Sequence, residues 1–203
     1  MVFISAVYFS QFEKLQQRLN EIDTTKDIIM KLFIASDLHG SAYYTDLMVK
    51  AYEASGAHRL VLLGDILYHG PRNDLPRDYA PKQVIAYLNP LGDKIIAVRG
   101  NCESEVDQMV LTFPVTSDYG VIFDGAQTLY LSHGHRAVPP MAPGTVYLTG
   151  HTHVPKNQTE NGVMFMNPGS VSIPKENSPH SYMIYEAGKF AWFDLESGEQ
   201  YEV

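Results

Sequence analysis

Five short clusters in this chain combine acidic, imidazole and amide side chains with glycine: Asp37-Leu38-His39-Gly40, Gly64-Asp65, Gly100-Asn101-Cys102-Glu103, His133-Gly134-His135 and Gly150-His151-Thr152-His153. Carboxylate, imidazole and amide oxygen form a mixed N/O donor set, which suits Mn, Fe, Ni, Zn or Mg better than copper or an iron–sulfur centre. Taken singly, each cluster says little. Asp and Asn favour turns for local reasons, and one Gly-His-x-His is as readily a loop as a ligand pair. Their succession in this order argues for a metal site, because the bland account needs several coincidences.

Such clusters need strands to aim them. Each follows a predicted strand, and ligands in open α/β sheets gather beyond the carboxyl ends of the strands. Residues two apart along a strand exit share a side, so Asp37 with His39, and His151 with His153, are expected to converge on one point. Adjacent glycines allow tight turns and close backbone approach.

The scaffold is legible from periodicity. The apolar run Leu32-Phe33-Ile34-Ala35 reads as a buried strand over 31–36,. Tyr44, Leu47, Met48 and Ala51 form one face of a helix that Gly56 ends,. A second strand covers 59–63, Pro81 opens a helix carrying Val84, Ile85 and Leu88, a third strand covers 94–98, and a short helix covers 105–111,. Beyond it, short strands are expected at 129–132, 146–149, 163–166, 182–185 and 190–193, with hairpin turns at Asp124-Gly125, Asn161-Gly162 and Ala187-Gly188,. This is an α/β domain over residues 30–203, with two stacked sheets flanked by helices. Residues 1–29 read as an extension. Ser10 and Glu13 form a capping box, and Phe12, Leu15, Leu19 and Ile22 share one helical face,.

Composition narrows the classes further. The 203 residues carry 45% hydrophobic and 19% charged side chains, an ordinary globular balance,. Fifteen Lys and Arg against 23 Asp and Glu give a net charge of −8, so no general footprint for nucleic acid or anionic membrane is present,. The single cysteine, Cys102, excludes an intramolecular disulfide and suits a reducing, cytoplasmic compartment,. Met1 to Phe9 make a poor signal peptide, and no run reaches the roughly 18 apolar residues of a membrane span. The chain has no Gly-x-x-x-x-Gly-Lys, Gly-x-Gly-x-x-Gly or Gly-x-Ser-x-Gly motif, so P-loop ATPase, dinucleotide enzyme and serine hydrolase drop out,.

The motif order from Asp37 to His153 resembles the calcineurin-like metallophosphoesterase superfamily. The segments from Gly64 to Asn73, Val98 to Cys102 and Asn167 to Ser172 are similar to its bacterial YfcE-type phosphodiesterases. The resemblance implies a four-layer β-sandwich with outer helices and two divalent metal ions, Mn first, with Ni, Fe, Zn or Mg as alternatives. It assigns one metal to Asp37, His39, Asp65 and His153 and the other to Asp65, Asn101, His133 and His151. Asp65 bridges, and a metal-bridging hydroxide is the nucleophile. Asp65, Asn101 and His135 are expected at the reacting centre; Arg72, Arg99 and His69 are candidate substrate contacts. The expected substrate is a small or accessible phosphodiester, with no membrane partner and with homo-oligomers left open. A phosphomonoesterase, or a protein-binding scaffold like the retromer coat subunit that shares this fold, is the alternative. At Cys102 many superfamily members place a histidine; here a small packing residue is expected, and therefore no strong acid for the leaving group.

Overall fold

A computed structural model describes residues 30–203; the expected helix over 10–22 lies outside them. Strand β1 (Lys31–Ala35) leads to helix α1 (Ala42–Ser55), β2 (Arg59–Leu62) and α2 (Pro81–Leu88). A 3₁₀ turn (Asn89–Lys94) precedes β3 (Ile95–Ala97) and α3 (Glu105–Val110). The rest is β: β4 (Tyr119–Asp124), β5 (Gln127–Ser132), β6 (Val146–Leu148), β7 (Lys156–Glu160), β8 (Val163–Asn167), β9 (Ser181–Glu186), β10 (Lys189–Asp194) and β11 (Gln200–Tyr201).

The strands form two mixed sheets, six-stranded β11-β10-β9-β1-β2-β3 and five-stranded β4-β5-β6-β8-β7. Both faces of β1 are buried, as its unbroken apolar run requires,. Leu32 and Ile34 join Val61, Leu63, Met183 and Trp192 against Leu129, Leu131, Val146 and Leu148 of the second sheet. Phe33, Leu60 and Leu62 face the other way, onto Met48 and Tyr52 of α1 and Val84 and Leu88 of α2. The β1–β2–β3 and β5–β6–β8 pairings are parallel, so several strands discharge their chains at the same end.

Local chemistry sets the boundaries. The Ser41 hydroxyl accepts the Tyr44 N–H at the start of α1, and Gly56 ends the helix at φ 68°, where a side chain would be strained,. Pro81 begins α2, and Ser104 with Asp107 forms a capping box on α3,. In the Asn161-Gly162 and Ala187-Gly188 turns both loop residues take positive φ, the tight hairpin geometry,. Three strands escape the periodicity: β4, β7 and β11. No helix among the described residues is long and apolar enough to cross a membrane.

Candidate metal centre

The clusters do converge, but not by strand alternation. Asp37, His39, Asp65, His151 and His153 all adopt positive φ, between 47° and 67°. For non-glycine residues this left-handed conformation is uncommon and costs energy, so the surroundings must enforce it. The expectation that residues two apart share a strand side is corrected here: β1 has ended by Ala35, and left-handed turns do the aiming.

The enforcing contacts are hydrogen bonds from backbone and buried polar groups. Ser170 and Ser172 hydroxyls donate to the Asp37 carbonyl (2.9 and 3.1 Å). The His39 and Gly40 N–H groups donate to the carbonyls of Asp65 and Ile66. The buried Glu103 carboxylate accepts the N–H groups of Asp65 (3.0 Å), Ile66 (2.6 Å) and Gly100, clasping two site loops together. Glycine is required where those loops touch. A Cβ on Gly100 would strike the Asp65 carboxylate, and one on Gly150 would strike Ser36.

Three imidazoles are orientated identically. Nδ1–H of His39 donates to the Tyr68 carbonyl (2.9 Å), that of His133 to Leu63 (2.7 Å) and that of His153 to Ile173 (2.6 Å). A carbonyl only accepts, so each Nδ1 carries a proton and each Nε2 lone pair faces inward. The Nε2 atoms of His39 and His153 stand 3.1 Å apart. Two lone pairs at that distance repel unless a proton or cation intervenes. Around them, Asp37 Oδ1 lies 3.3 Å from His153 Nε2 and 3.5 Å from His39 Nε2, and Asp65 Oδ2 lies 3.3 Å from His133 Nε2 and 3.8 Å from His39 Nε2. Asp37 Oδ1 and His133 Nε2 are buried without a hydrogen-bond partner, which is costly unless something charged binds there.

Possible donor atoms fall into two main groups, Asp37/His39/His153 and Asp65/His133/His151, each within 4.8 Å. A third group joins His39 and Asp65 to Cys102. Burial raises the Asp37 carboxyl, but His133, His153 and His39 together hold it well below the usual range. Asp65 is likewise lowered against burial, chiefly by His133. Burial opposes protonation of His133, yet Asp37 and Asp65 push its pKa up to about 9. The residues therefore fit divalent cations: carboxylates kept ionised and imidazole lone pairs gathered around them.

A family model for the calcineurin-like phosphoesterase superfamily domain matches residues 30–189. The chain belongs to that superfamily. Over 158 residues it is 48% identical to phosphodiesterase YfcE of Escherichia coli strain K12, spanning 76% of this chain and 86% of that protein. The solved structure of E. coli YfcE, described as a phosphoesterase, aligns with TM-score 0.83 and 43% identity over 85% of this chain and 97% of its own. Vacuolar protein sorting 29 from Cryptosporidium parvum shares the fold at TM-score 0.59 and 18% identity, over 85% and 95% of the two chains. The four-layer sandwich that the motifs implied is thus the fold of this superfamily.

Beside the donor groups lies a cavity of about 410 Å³ whose lining includes Asp65, Arg72, Asn101, Cys102, His151 and His153. A larger groove, about 850 Å³ between α1 and the β9–β10 hairpin, contains none of the candidate residues, so size does not locate the chemistry. The substrate-contact candidates separate. Arg72 lines the site cavity. Arg99 and His69 are not among the residues that line it. Arg99 donates to the Glu103 carbonyl (3.2 Å) and reaches Glu105 (3.6 Å), bracing the loop from behind. His69 packs edge-on between Tyr68 and Tyr79. The Asn101 amide donates to Cys102 Sγ (3.3 Å). The His135 ring centroid lies 5.5 Å from that of His133, and burial and the His133 charge lower its pKa. Cys102 was expected in the packing; it stands instead on the cavity wall, where burial and then Asp65 push its thiol up. Sequence reasoning passed over the anchoring roles of Glu103, Ser170 and Ser172. Ser170 and Ser172 lie in the segment that carried the family resemblance, which was the available signal.

Proposed function

We propose that this protein is a metal-dependent phosphodiesterase with a dinuclear centre, acting on a small or accessible phosphodiester. The observation that carries the reading is the set of inward Nε2 lone pairs at His39, His133 and His153, gathered around the carboxylates of Asp37 and Asp65. Asp37, His39, Asp65 and His153 would hold one cation, and Asp65, Asn101, His133 and His151 the other. When bound, two divalent cations supply Lewis acidity to the phosphoryl oxygens and a hydroxide nucleophile at neutral pH.

The chain's own groups do the rest. Nδ1–H bonds to three carbonyls fix the ring orientations before any cation arrives, so little reorganisation is needed. Arg72 lines the cavity beside the donors, where its forked donors can meet an anionic group of the substrate. His135, kept neutral beside His133, orients the donors or meets the substrate. Every ligand position holds a competent side chain, which favours an enzyme over a scaffold with the same fold. The N/O donors suit Mn first, with Ni, Fe, Zn or Mg as alternatives, and the lone cysteine suits the cytoplasm.

The test is hydrolysis of a panel of mono- and diesters by protein stripped with chelator and reloaded with each metal. Metal-restored turnover of diesters exceeding that of monoesters supports the reading. Preferential monoester hydrolysis would replace it with the phosphomonoesterase, and absence of turnover with every metal would replace it with the scaffold.

A further inference from the structure

Lys175 is named by no motif, yet it lines the same cavity as Arg72 and the donor residues. It reaches the cavity from a separate segment, between β8 and β9. Its N–H donates to the His153 carbonyl (3.2 Å), and Ser178 N–H and Oγ both donate to the Lys175 carbonyl (3.0 and 2.7 Å). The intervening Glu176 and Asn177 take φ of 56° and 59°, so this is a tight left-handed turn tied to a candidate ligand. These bonds hold the backbone of Lys175, and the residue is exposed.

Arg72 and Lys175 share a second property. Neither forms an ion pair or side-chain hydrogen bond among the described residues, although the chain carries a net charge of −8. Their acidic neighbours Asp74 and Glu176 do not line the cavity. Two cations without an ion-pair partner among the described residues therefore line the same cavity as the donor residues. The reacting diester carries a single negative charge, which the centre itself is built to meet. Two further cations are surplus to that need.

We infer that Lys175, together with Arg72, forms a subsite for a second anionic group, so that the preferred substrate is a phosphodiester with an additional phosphate or carboxylate on one of its alcohols. Lys175 is a specificity-determining residue; it binds the substrate away from the reacting atoms. This rests on the phosphodiesterase reading. Its signature is uniform binding: removing it raises KM and leaves kcat unchanged. Salt weakens the preference, because the pair is exposed to solvent.

The test compares two 4-nitrophenyl phosphodiesters with the same leaving group, one whose second alcohol is 2-methoxyethanol and one whose second alcohol is 2-phosphoethanol. For the full metal-loaded chain we expect KM to be about 10-fold lower for the phosphorylated diester at low salt, with the gap narrowing at high salt. Lys175→Ala should raise KM for that substrate about 3- to 5-fold, with kcat and the methoxy substrate changed less than about 2-fold, and Lys175→Arg should restore it. Calorimetric titration with ethylene glycol bisphosphate reads the same subsite without turnover, and Lys175→Ala should weaken binding by a similar factor. Equal KM for both diesters, or a Lys175→Ala variant that lowers kcat on both alike, would overturn the inference while leaving the phosphodiesterase intact. Failure to cleave either diester, with bisphosphate binding still dependent on Lys175, would instead remove the phosphodiesterase and keep the subsite.

Discussion

At the residue scale, protons and cations compete for the same lone pairs. Because Nδ1 of His39, His133 and His153 is committed to carbonyls, only Nε2 can take either partner. This fixes the sign of the pH dependence. His133, raised to about 9 by Asp37 and Asp65 against the effect of burial, stabilises the fold fully below the unfolded imidazole value and loses that contribution as pH rises through 9,. Protein stripped of metal should therefore lose on the order of 2 kcal/mol between pH 6.5 and 9. Asp37 and Asp65, held low, act in the opposite sense: their contribution is present above the ordinary carboxyl range and disappears on acidification,. Metal binding requires neutral imidazoles, so the gap in Tm between loaded and stripped protein should widen from about pH 6 to about pH 9 and close in acid. A gap independent of pH in scanning calorimetry would contradict this competition. Asp65→Asn should lower turnover about 100-fold or more and release metal from both sites, whereas His39→Ala should cost less, as elemental analysis with steady-state kinetics will read. In the protein without metal, burial and then Asp65 push the thiol of Cys102 up, and the residue stands on the cavity wall. Cys102→Ala should change aryl-diester turnover less than about 3-fold and leave its dependence on leaving-group pKa unaltered.

At the element scale, the strands deliver the site and the loops shape it. Glu103 is the clearest case. Its carboxylate holds the N–H groups of Asp65, Ile66 and Gly100, so it couples the loop after β2 to the loop after β3. Glu103→Ala strands three buried donors and should destabilise the protein by about 2–4 kcal/mol in urea unfolding. It should also weaken metal affinity, because Asp65 loses the clasp that holds it at φ 54°. Destabilisation without loss of metal affinity would make Glu103 a purely structural residue. The sequence revealed the buried β1 strand, the capped helices and the tight hairpins because each depends on local periodicity or on a glycine with positive φ. It could not reveal β7, whose five residues are all exposed and whose position depends on pairing with β8. Nor could it reveal β4, where Val121 and Phe123 are exposed and give no clean alternation. The ligand residues were legible by type and order; their left-handed backbone was not, since it is imposed by partners such as Ser170, 133 residues away from Asp37.

At the scale of the whole molecule, the site lies on the seam between the sheets. Asp37 and Asp65 follow β1 and β2 of the six-stranded sheet, whereas His133, His151 and His153 follow β5 and β6 of the five-stranded one. Bound cations would therefore fasten two sheets that are otherwise joined mainly by the apolar layer around Ile34, Val61, Leu131 and Leu148. At metal concentrations about 100 times Kd, the fastening should add about 2.7 kcal/mol to global stability for each site. Among the described residues, 30–203, lie two hydrophobic cores and the candidate donor groups, and every ligand motif follows Met30 in the sequence, so the coupling is expected to need nothing before Met30. A chain beginning at Met30 should consequently match the full chain in two measurements made together: thermal midpoint within about 3 °C, and the increase in that midpoint on adding metal. Equal turnover should follow. A shortened chain with a lower midpoint but an unchanged metal-induced increase would place residues 1–29 in the packing but not at the site. Loss of the metal-induced increase itself would show that those residues help hold the sheets in the register the ligands require.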